Sequence, residues 1–311
     1  MPLNPRFPFA HTFSIVARDP KTREMGVAVQ SHWFSTGSIV TWAEPGVGVV
    51  ATQSLAEISY GPLGLFGMQT GKPVSDVLKH LLEKDENPQV RQVAMINSTG
   101  EVAAHTGSRC IAEAGHQIGH QYSVQANMML NNTVWPAMAE AYESAKGKLA
   151  DRLLAALDAA QAAGGDLRGQ QSAAMLVVSG DVPIYPWKGI LVDLRVEDHT
   201  QPLAELRRLL GVQRAYEHMN KGDELMGQGK VDQALIAYEK AVKLAPHLDE
   251  LPFWQAVTLL DGGREEEAFP ILRNLFSSNP NWLVLLERLP AAGLLRDDAK
   301  MMQRVRKIFT S

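Results

Sequence analysis

Residues 12–54 read TFSIVARDPKTREMGVAVQSHWFSTGSIVTWAEPGVGVVATQS, and the alternation within them decides the fold. Across 12–18, Phe13, Ile15 and Ala17 fall on one face and Thr12, Ser14 and Val16 on the other, the period of two expected of a strand. Asp19-Pro20-Lys21-Thr22 supplies turn chemistry, so 25–33 is expected to return as a second strand and 47–54 as a third. Working outward, helices are expected over 59–70 and 73–84, Pro73 suiting a first helical position. Strands come next at 91–97 and 101–106 around Ser98-Thr99-Gly100, and at 121–128. Helices are expected at 133–144 and 149–163, the second with Leu149, Leu153, Leu157 and Ala160 at helical spacing. Strands 173–179 and 189–196 then precede a helix at 202–210. Strands grouped between helix pairs predict two stacked sheets with outer helix layers, a four-layer αββα sandwich in the α+β class.

After Gly211 the pattern turns helical and repeats. With Pro246 aligned on Pro280, a spacing of 34, Gly222 matches Ala256, Leu225 matches Leu259, Gly229 matches Gly263 and Ala234 matches Ala268. This is the tetratricopeptide period. The first copy, 215–248, has small residues at Gly222, Ala234 and Ala241, Tyr238 for packing and Pro246 as terminator. The second keeps Ala256, Ala268 and Pro280 but carries Leu275 in place of the small residue. Cap-like helices are expected at 283–289 and 297–309. The expected division is therefore an αββα domain at 8–211 and an all-α helical-repeat domain at 212–311. Two repeats are few for independent stability. Their apolar groove predicts either a protein partner or self-association as a homodimer.

A net charge of −4 gives no sign of a nucleic-acid partner. One cysteine, Cys110, excludes an intrachain disulfide and points to a reducing, cytoplasmic location. No apolar run approaches the about 20 residues that span a bilayer, and no secretory signal is recognisable before Thr12. No cofactor is expected.

The blocks TFSIVARD, GVAVQSHWF, WAEPGVGVVATQS, RQVAMIN, AAHTG, VQANMML, GGDLRGQQSAAMLVV and VDLRVEDH occur in this order between Thr12 and Leu210. Together they resemble a bacterial family known as domain of unknown function ten-twenty-eight, placed among the N-terminal-nucleophile (Ntn) hydrolases. The resemblance implies the αββα fold and a suspected hydrolase activity, with Thr12 in the nucleophile's position. In Ntn hydrolases the free α-amine of the nucleophilic residue takes the hydroxyl proton. Here eleven residues ending in His11 precede Thr12, unlike members that begin Met-Thr.

The expected reaction is attack by Thr12 on an amide or other C–N bond of a small polar metabolite; Thr12 also suits the start of a strand as a β-branched residue. Without cleavage before Thr12 an outside base is required, and His32 and His105 are the candidates. Asn127, or backbone N–H groups near Gln53, is the candidate oxyanion hole. Asp166 and Arg168, in a glycine-rich polar turn with Gln171, either hold a carboxylate or ureido group or form a local ion pair. Ser31, Thr52 and Gln53 are strand-end groups of the kind that line clefts. Asp193, Arg195, Glu197, Asp198 and His199 read as an ion-paired strand rather than a metal site. His116 and His120 are spaced for a helix that Gly115 and Gly119 disfavour, so no metal is expected. The alternative function is a catalytically inactive scaffold whose repeats bind another protein.

Overall fold

The computed structural model describes residues 9–310; residue 8, where the first domain is expected to start, and Ser311 lie outside the described residues. The chain divides into two compact units, the first ending at Arg207 and the second beginning at Arg208.

The first unit runs β1 (Phe9–Ala10), β2 (Thr12–Arg18), β3 (Met25–Ser31), β4 (Thr41–Glu44), β5 (Gly48–Leu55), α1 (Tyr60–Gln69), α2 (Val74–Lys84), β6 (Arg91–Asn97), β7 (Val102–Thr106), β8 (Gly115–Gly119), β9 (Tyr122–Ala126), α3 (Val134–Ser144), α4 (Leu149–Ala162), β10 (Ser172–Val178), β11 (Ile190–Val196) and the start of α5 (Pro202–Gly227). One sheet has the order β1-β5-β6-β7, with β4 also on β5, and the other the order β11-β10-β3-β2-β9-β8. All named pairings are antiparallel. Val16, Val27, Val29 and Ala174 of the second sheet pack against Val49, Ala51, Ala94 and Ile96 of the first. On the far face of the first sheet, Val50, Val93 and Met95 meet Leu65 and Met68 of α1 and Val77 and Leu78 of α2. Helix α4 covers the second sheet closely: a Cβ added at Gly26 would lie 2.6 Å from the Leu153 methyl. The layers are therefore α, β, β, α.

Alternation in β2 sets the direction of the Thr12 side chain. Val16 points between the sheets, so Thr12 and Ser14, four and two residues earlier, do too. Apolar side chains fill most of that interlayer, and polar ones collect at the Thr12 end.

Strands β1, β4 and β8 carry little sequence signal. Strand β1 is two residues long, β4 is half-buried throughout, and β8 is a largely exposed edge containing two glycines. His116 thus lies on a strand and its Nδ1 meets the Thr106 hydroxyl at 2.8 Å.

In the second unit α5 continues to Gly227 and is followed by α6 (Val231–Leu244), α7 (Glu250–Asp261), α8 (Glu265–Ser278), α9 (Asn281–Arg288) and α10 (Ala299–Thr310). The helix expected to stop at 210 runs on through Gly211, which has nothing within 4 Å of its added Cβ. A glycine there costs about 1 kcal/mol of helix propensity, too little to end a long helix. Within the repeat, Gly222 lets α5 approach α6: its added Cβ would lie 2.5 Å from the Tyr238 ring, whose hydroxyl donates to Asp223 at 2.6 Å. Ala234, Tyr238, Ala256, Ala268 and Leu275 share one buried cluster, Leu275 filling the place of the missing small residue. No described helix is long and apolar enough to cross a membrane.

Candidate functional site

Strand β2 lies between β3 and β9, and Thr12 is paired with Ser31. On the opposite sheet Gln53 of β5 is paired with Gln92 of β6. These four strand ends, with Asn127 just after β9, enclose the peptide joining His11 to Thr12. His11, Thr12, Ser31, Gln53, Gln92 and Asn127 are all buried.

A relay of amides fixes the floor. Gln125 Nε2 donates to the Ser14 hydroxyl at 2.6 Å, which donates to Gln53 Oε1 at 2.5 Å. Gln53 Nε2 donates to Gln92 Oε1 at 2.7 Å, and Asn127 Nδ2 donates to the same oxygen at 2.8 Å. Gln92 Nε2 in turn donates to the Ala126 carbonyl at 2.9 Å. Because each amide has a donor side and an acceptor side, the chain admits one orientation for each member. Asn127 Oδ1 is left to accept from His11 Nδ1 at 2.7 Å. Burial pushes the His11 imidazole below its ordinary value, against the Asn127 bond and with the Arg168 guanidinium adding to the lowering. The ring is therefore neutral near pH 7 and carries its proton on Nδ1.

Two carbonyls in this floor are heavily engaged. The Thr12 carbonyl accepts from Asn127 N–H at 3.1 Å and Gln53 Nε2 at 3.2 Å. The His11 carbonyl accepts from the Ser31 hydroxyl at 2.6 Å and an Arg168 guanidinium nitrogen at 2.8 Å. Arg168 is aimed by Asp166, whose carboxylate takes its Nε at 3.1 Å and a terminal nitrogen at 2.7 Å. Asp166 is itself held by the backbone N–H groups of His32 at 3.2 Å and Arg168 at 2.9 Å. The turn is thus both an ion pair and a device that delivers a guanidinium to a buried carbonyl.

The Thr12 hydroxyl donates to the Ala10 carbonyl at 2.7 Å and is fully buried. No hydrogen bond joins it to either expected base. The His32 ring lies by Gly169, its Nδ1 3.9 Å from that glycine's added Cβ. His105 Nε2 meets the Pro88 carbonyl at 2.9 Å, on strand β7. Thr52 donates to the Glu57 carbonyl at 3.0 Å and Gln171 to Asp198 at 3.1 Å. The structure therefore groups Thr12, Ser31, Gln53, Asn127, Asp166 and Arg168, with the His32 backbone at the margin. It sets His105, Thr52 and the Gln171 side chain on other partners. Gln92 and His11 complete the group. Gln92 had one signal, a long polar side chain within a strand rich in apolar residues, as Gln53 and Gln125 are in theirs. Among the described residues no three His, Cys, Asp or Glu side chains converge as metal ligands would.

Comparison with known proteins adds a family. A model described as a family of unknown function (DUF1028) matches residues 12–206, and a tetratricopeptide-repeat model matches 215–248. Among solved structures, the crystal structure of the DUF1028 protein SPO2555 from Silicibacter pomeroyi is similar, with 32% identity and a TM-score of 0.59, over 65% of this chain and 85% of that one. No curated protein matches. With the αββα sandwich, the ordered sequence blocks and this match over most of the first unit, the chain belongs to the DUF1028 family and carries a tetratricopeptide repeat after it.

Proposed function

We propose that this chain is the precursor of an Ntn-type hydrolase, freed for activity by cleavage between His11 and Thr12. The observation that carries the reading is the buried His11 carbonyl, gripped by Ser31 and Arg168 at 2.6 and 2.8 Å. Donors placed there stabilise the oxyanion that forms when that carbonyl is attacked. In the uncleaved chain the Thr12 hydroxyl has no basic partner and cannot reach an outside substrate, so removal of the preceding residues is a precondition.

Cleavage begins when the Thr12 side chain rotates away from the Ala10 carbonyl and its oxygen adds to the His11 carbonyl carbon. The hydroxyl proton passes to the Thr12 nitrogen as the C–N bond breaks, leaving His11 esterified to Thr12. Water hydrolyses the ester, giving a His11 carboxylate and a free Thr12 amine. That amine then serves as base for the Thr12 hydroxyl in each later turnover. Departure of the leader leaves Ser31 and Arg168 facing the vacated space, where they fit an amide of a small polar metabolite, with Asn127 and Gln53 holding the Thr12 backbone.

Intact mass spectrometry of the purified chain tests this. A species beginning at Thr12 is expected to accumulate, and Thr12→Ala is expected to stay whole. A wild-type chain that remains whole through prolonged incubation refutes cleavage. It favours the second reading, a scaffold whose tetratricopeptide repeat binds another protein, for which the 215–248 match is the support.

A further inference from the structure

Strand β11 is the outer strand of the six-stranded sheet, with β10 on one side only. An outer strand turns alternate backbone N–H and C=O groups away from the sheet. Ser35 N–H donates to the Glu197 carbonyl at 2.9 Å, while Ser179 N–H, at the opposite end of the β10–β11 ladder, takes the Gly189 carbonyl at 2.8 Å. The β10–β11 ladder shifts by one residue of β11 between Val177 and Val178, so Gly189 faces β10 while Glu197 faces outward, as do, two and four residues earlier, the backbone groups of Arg195 and Asp193. Their side chains are 47% and 49% exposed and lie 3.8 Å apart.

We propose that this edge pairs antiparallel with the same edge of a second copy of the chain, about a two-fold axis at Leu194. Outward-facing residues must meet outward-facing residues for the ladder to close. Centred on Asp193, the pairing sets Asp193 against Asp193. Centred on Arg195, it sets Arg195 against Arg195 and Asp193 against Glu197. Centred on Leu194, Asp193 of each copy faces Arg195 of the other, twice over, and Val192 faces Val196. Of these three registers only the one centred on Leu194 satisfies backbone and charge together; centring on Val196 would pair Arg195 with Glu197 but overlap the strand only at its end. An interface that reads the same from both sides is what a two-fold dimer requires.

The two ends of β11 agree with it. Ahead of the strand, Ile184 is 92% exposed and Trp187 68%, and Val182, Tyr185 and Ile190 are exposed beside them. Tyr185 and Trp187 stack at 5.1 Å. Past the other end Phe34, 63% exposed, adjoins the Ser35 that bonds Glu197. Antiparallel pairing carries the aromatic tip of each copy to the Phe34 end of the other. Clustered exposed apolar side chains mark interaction surfaces. The homodimer expected from the repeats is thus assigned to the sheet edge of the first unit, independently of any cleavage at Thr12.

Light scattering on the eluting full-length chain at tens of micromolar tests this, with sedimentation velocity for the dissociation constant. The wild type is expected at twice the chain mass. Arg195→Asp replaces two attractive cross-strand pairs by two repulsive ones and is expected to weaken association by roughly tenfold or more. The double variant Asp193→Arg/Arg195→Asp restores opposite charges and is expected to recover the dimer. Trp187→Ser, at an exposed site, is expected to weaken it without touching the strand. Should Arg195→Asp misfold by circular dichroism, Asp193→Lys supplies the same reversal at a more open position. A wild-type monomer, a charge reversal that leaves the mass unchanged, or a double variant that stays monomeric overturns the proposal.

Discussion

Replacing Gln92 by Leu removes the keystone of the buried floor while nearly conserving its volume. The Gln92 amide oxygen accepts from Gln53 at 2.7 Å and Asn127 at 2.8 Å. Its nitrogen donates to the Thr106 hydroxyl at 2.9 Å, the Gly115 carbonyl at 3.1 Å and the Ala126 carbonyl at 2.9 Å. After Gln92→Leu the two amide donors keep only longer bonds, Gln53 to the Thr12 carbonyl at 3.2 Å and Asn127 to the same oxygen at 3.4 Å. Leaving a buried polar group without its partner costs about 1–3 kcal/mol. With two donors partly relieved and the Ala126 carbonyl deprived of its side-chain donor, the expected loss is about 3 kcal/mol, near the lower end of three such costs. Gln92→Glu is expected to do no better, since its carboxylate would face the Gly115 and Ala126 carbonyls. Hydrogen exchange in the full chain is the assay, because it reads the first unit separately from the repeats. Amides of β6 and β9 should lose roughly a hundredfold in protection, those of α6 to α8 nothing. A loss below about 1 kcal/mol in β6 and β9 would mean the amide relay is not a stabilising network, and the fixed orientations argued from it would fall with it.

Arg168→Met keeps the stem but removes one donor from the His11 carbonyl, and cleavage before Thr12 is expected to slow by about 10²–10³-fold in a mass-spectrometric time course; Arg168→Lys, without the fork that Asp166 holds, should fall between. His11 has a lowered pKa, so below its ordinary value of 6.5 the unfolded chain binds a proton that the folded chain refuses. Its contribution is complete above that value and declines as pH falls through it, by at most about 1.4 kcal/mol per pH unit. His11→Gln should flatten the fall in stability between neutral and mildly acid pH, read by the difference between the two denaturation series. Gly222→Ala would press a methyl into the Tyr238 ring 2.5 Å away and is expected to cost the second unit about 1–3 kcal/mol, seen as lost protection in α5 and α6 alone.

How much of the structure was legible in the sequence depends on how far each signal travels along the chain. The alternation across Thr12–Arg18 is local, and the strand and its two faces follow from it; that the face of Thr12 and Ser14 turns inward follows only from the packing of Val16 between the sheets. The repeat is local too, since Gly222 and Tyr238 lie on adjacent helices joined by a short turn. The partners of the site are not local. His11 meets Asn127 across a separation of 116 residues, and Arg168 meets the His11 carbonyl across 157. Which strand end faces which depends on sheet order and register, and neither is written in any one segment. That is why His105, a polar residue at a strand end like the others, ends on the Pro88 carbonyl, while Gln92, beside Arg91 at the start of β6, ties Gln53 to Asn127. The two-residue strand β1 shows the same limit most plainly. No periodicity can be read from Phe9 and Ala10, yet their pairing with Leu55 and Ser54 holds His11 and Thr12 in place. A peptide bond anchored on one side by that strand and on the other by β2, with two donors on its carbonyl, is held in a single geometry. For the proposed cleavage, such fixation of the carbonyl leaves only the turn of the Thr12 hydroxyl away from the Ala10 carbonyl to be made, and orientation lowers a barrier when the reacting groups have few other arrangements open to them.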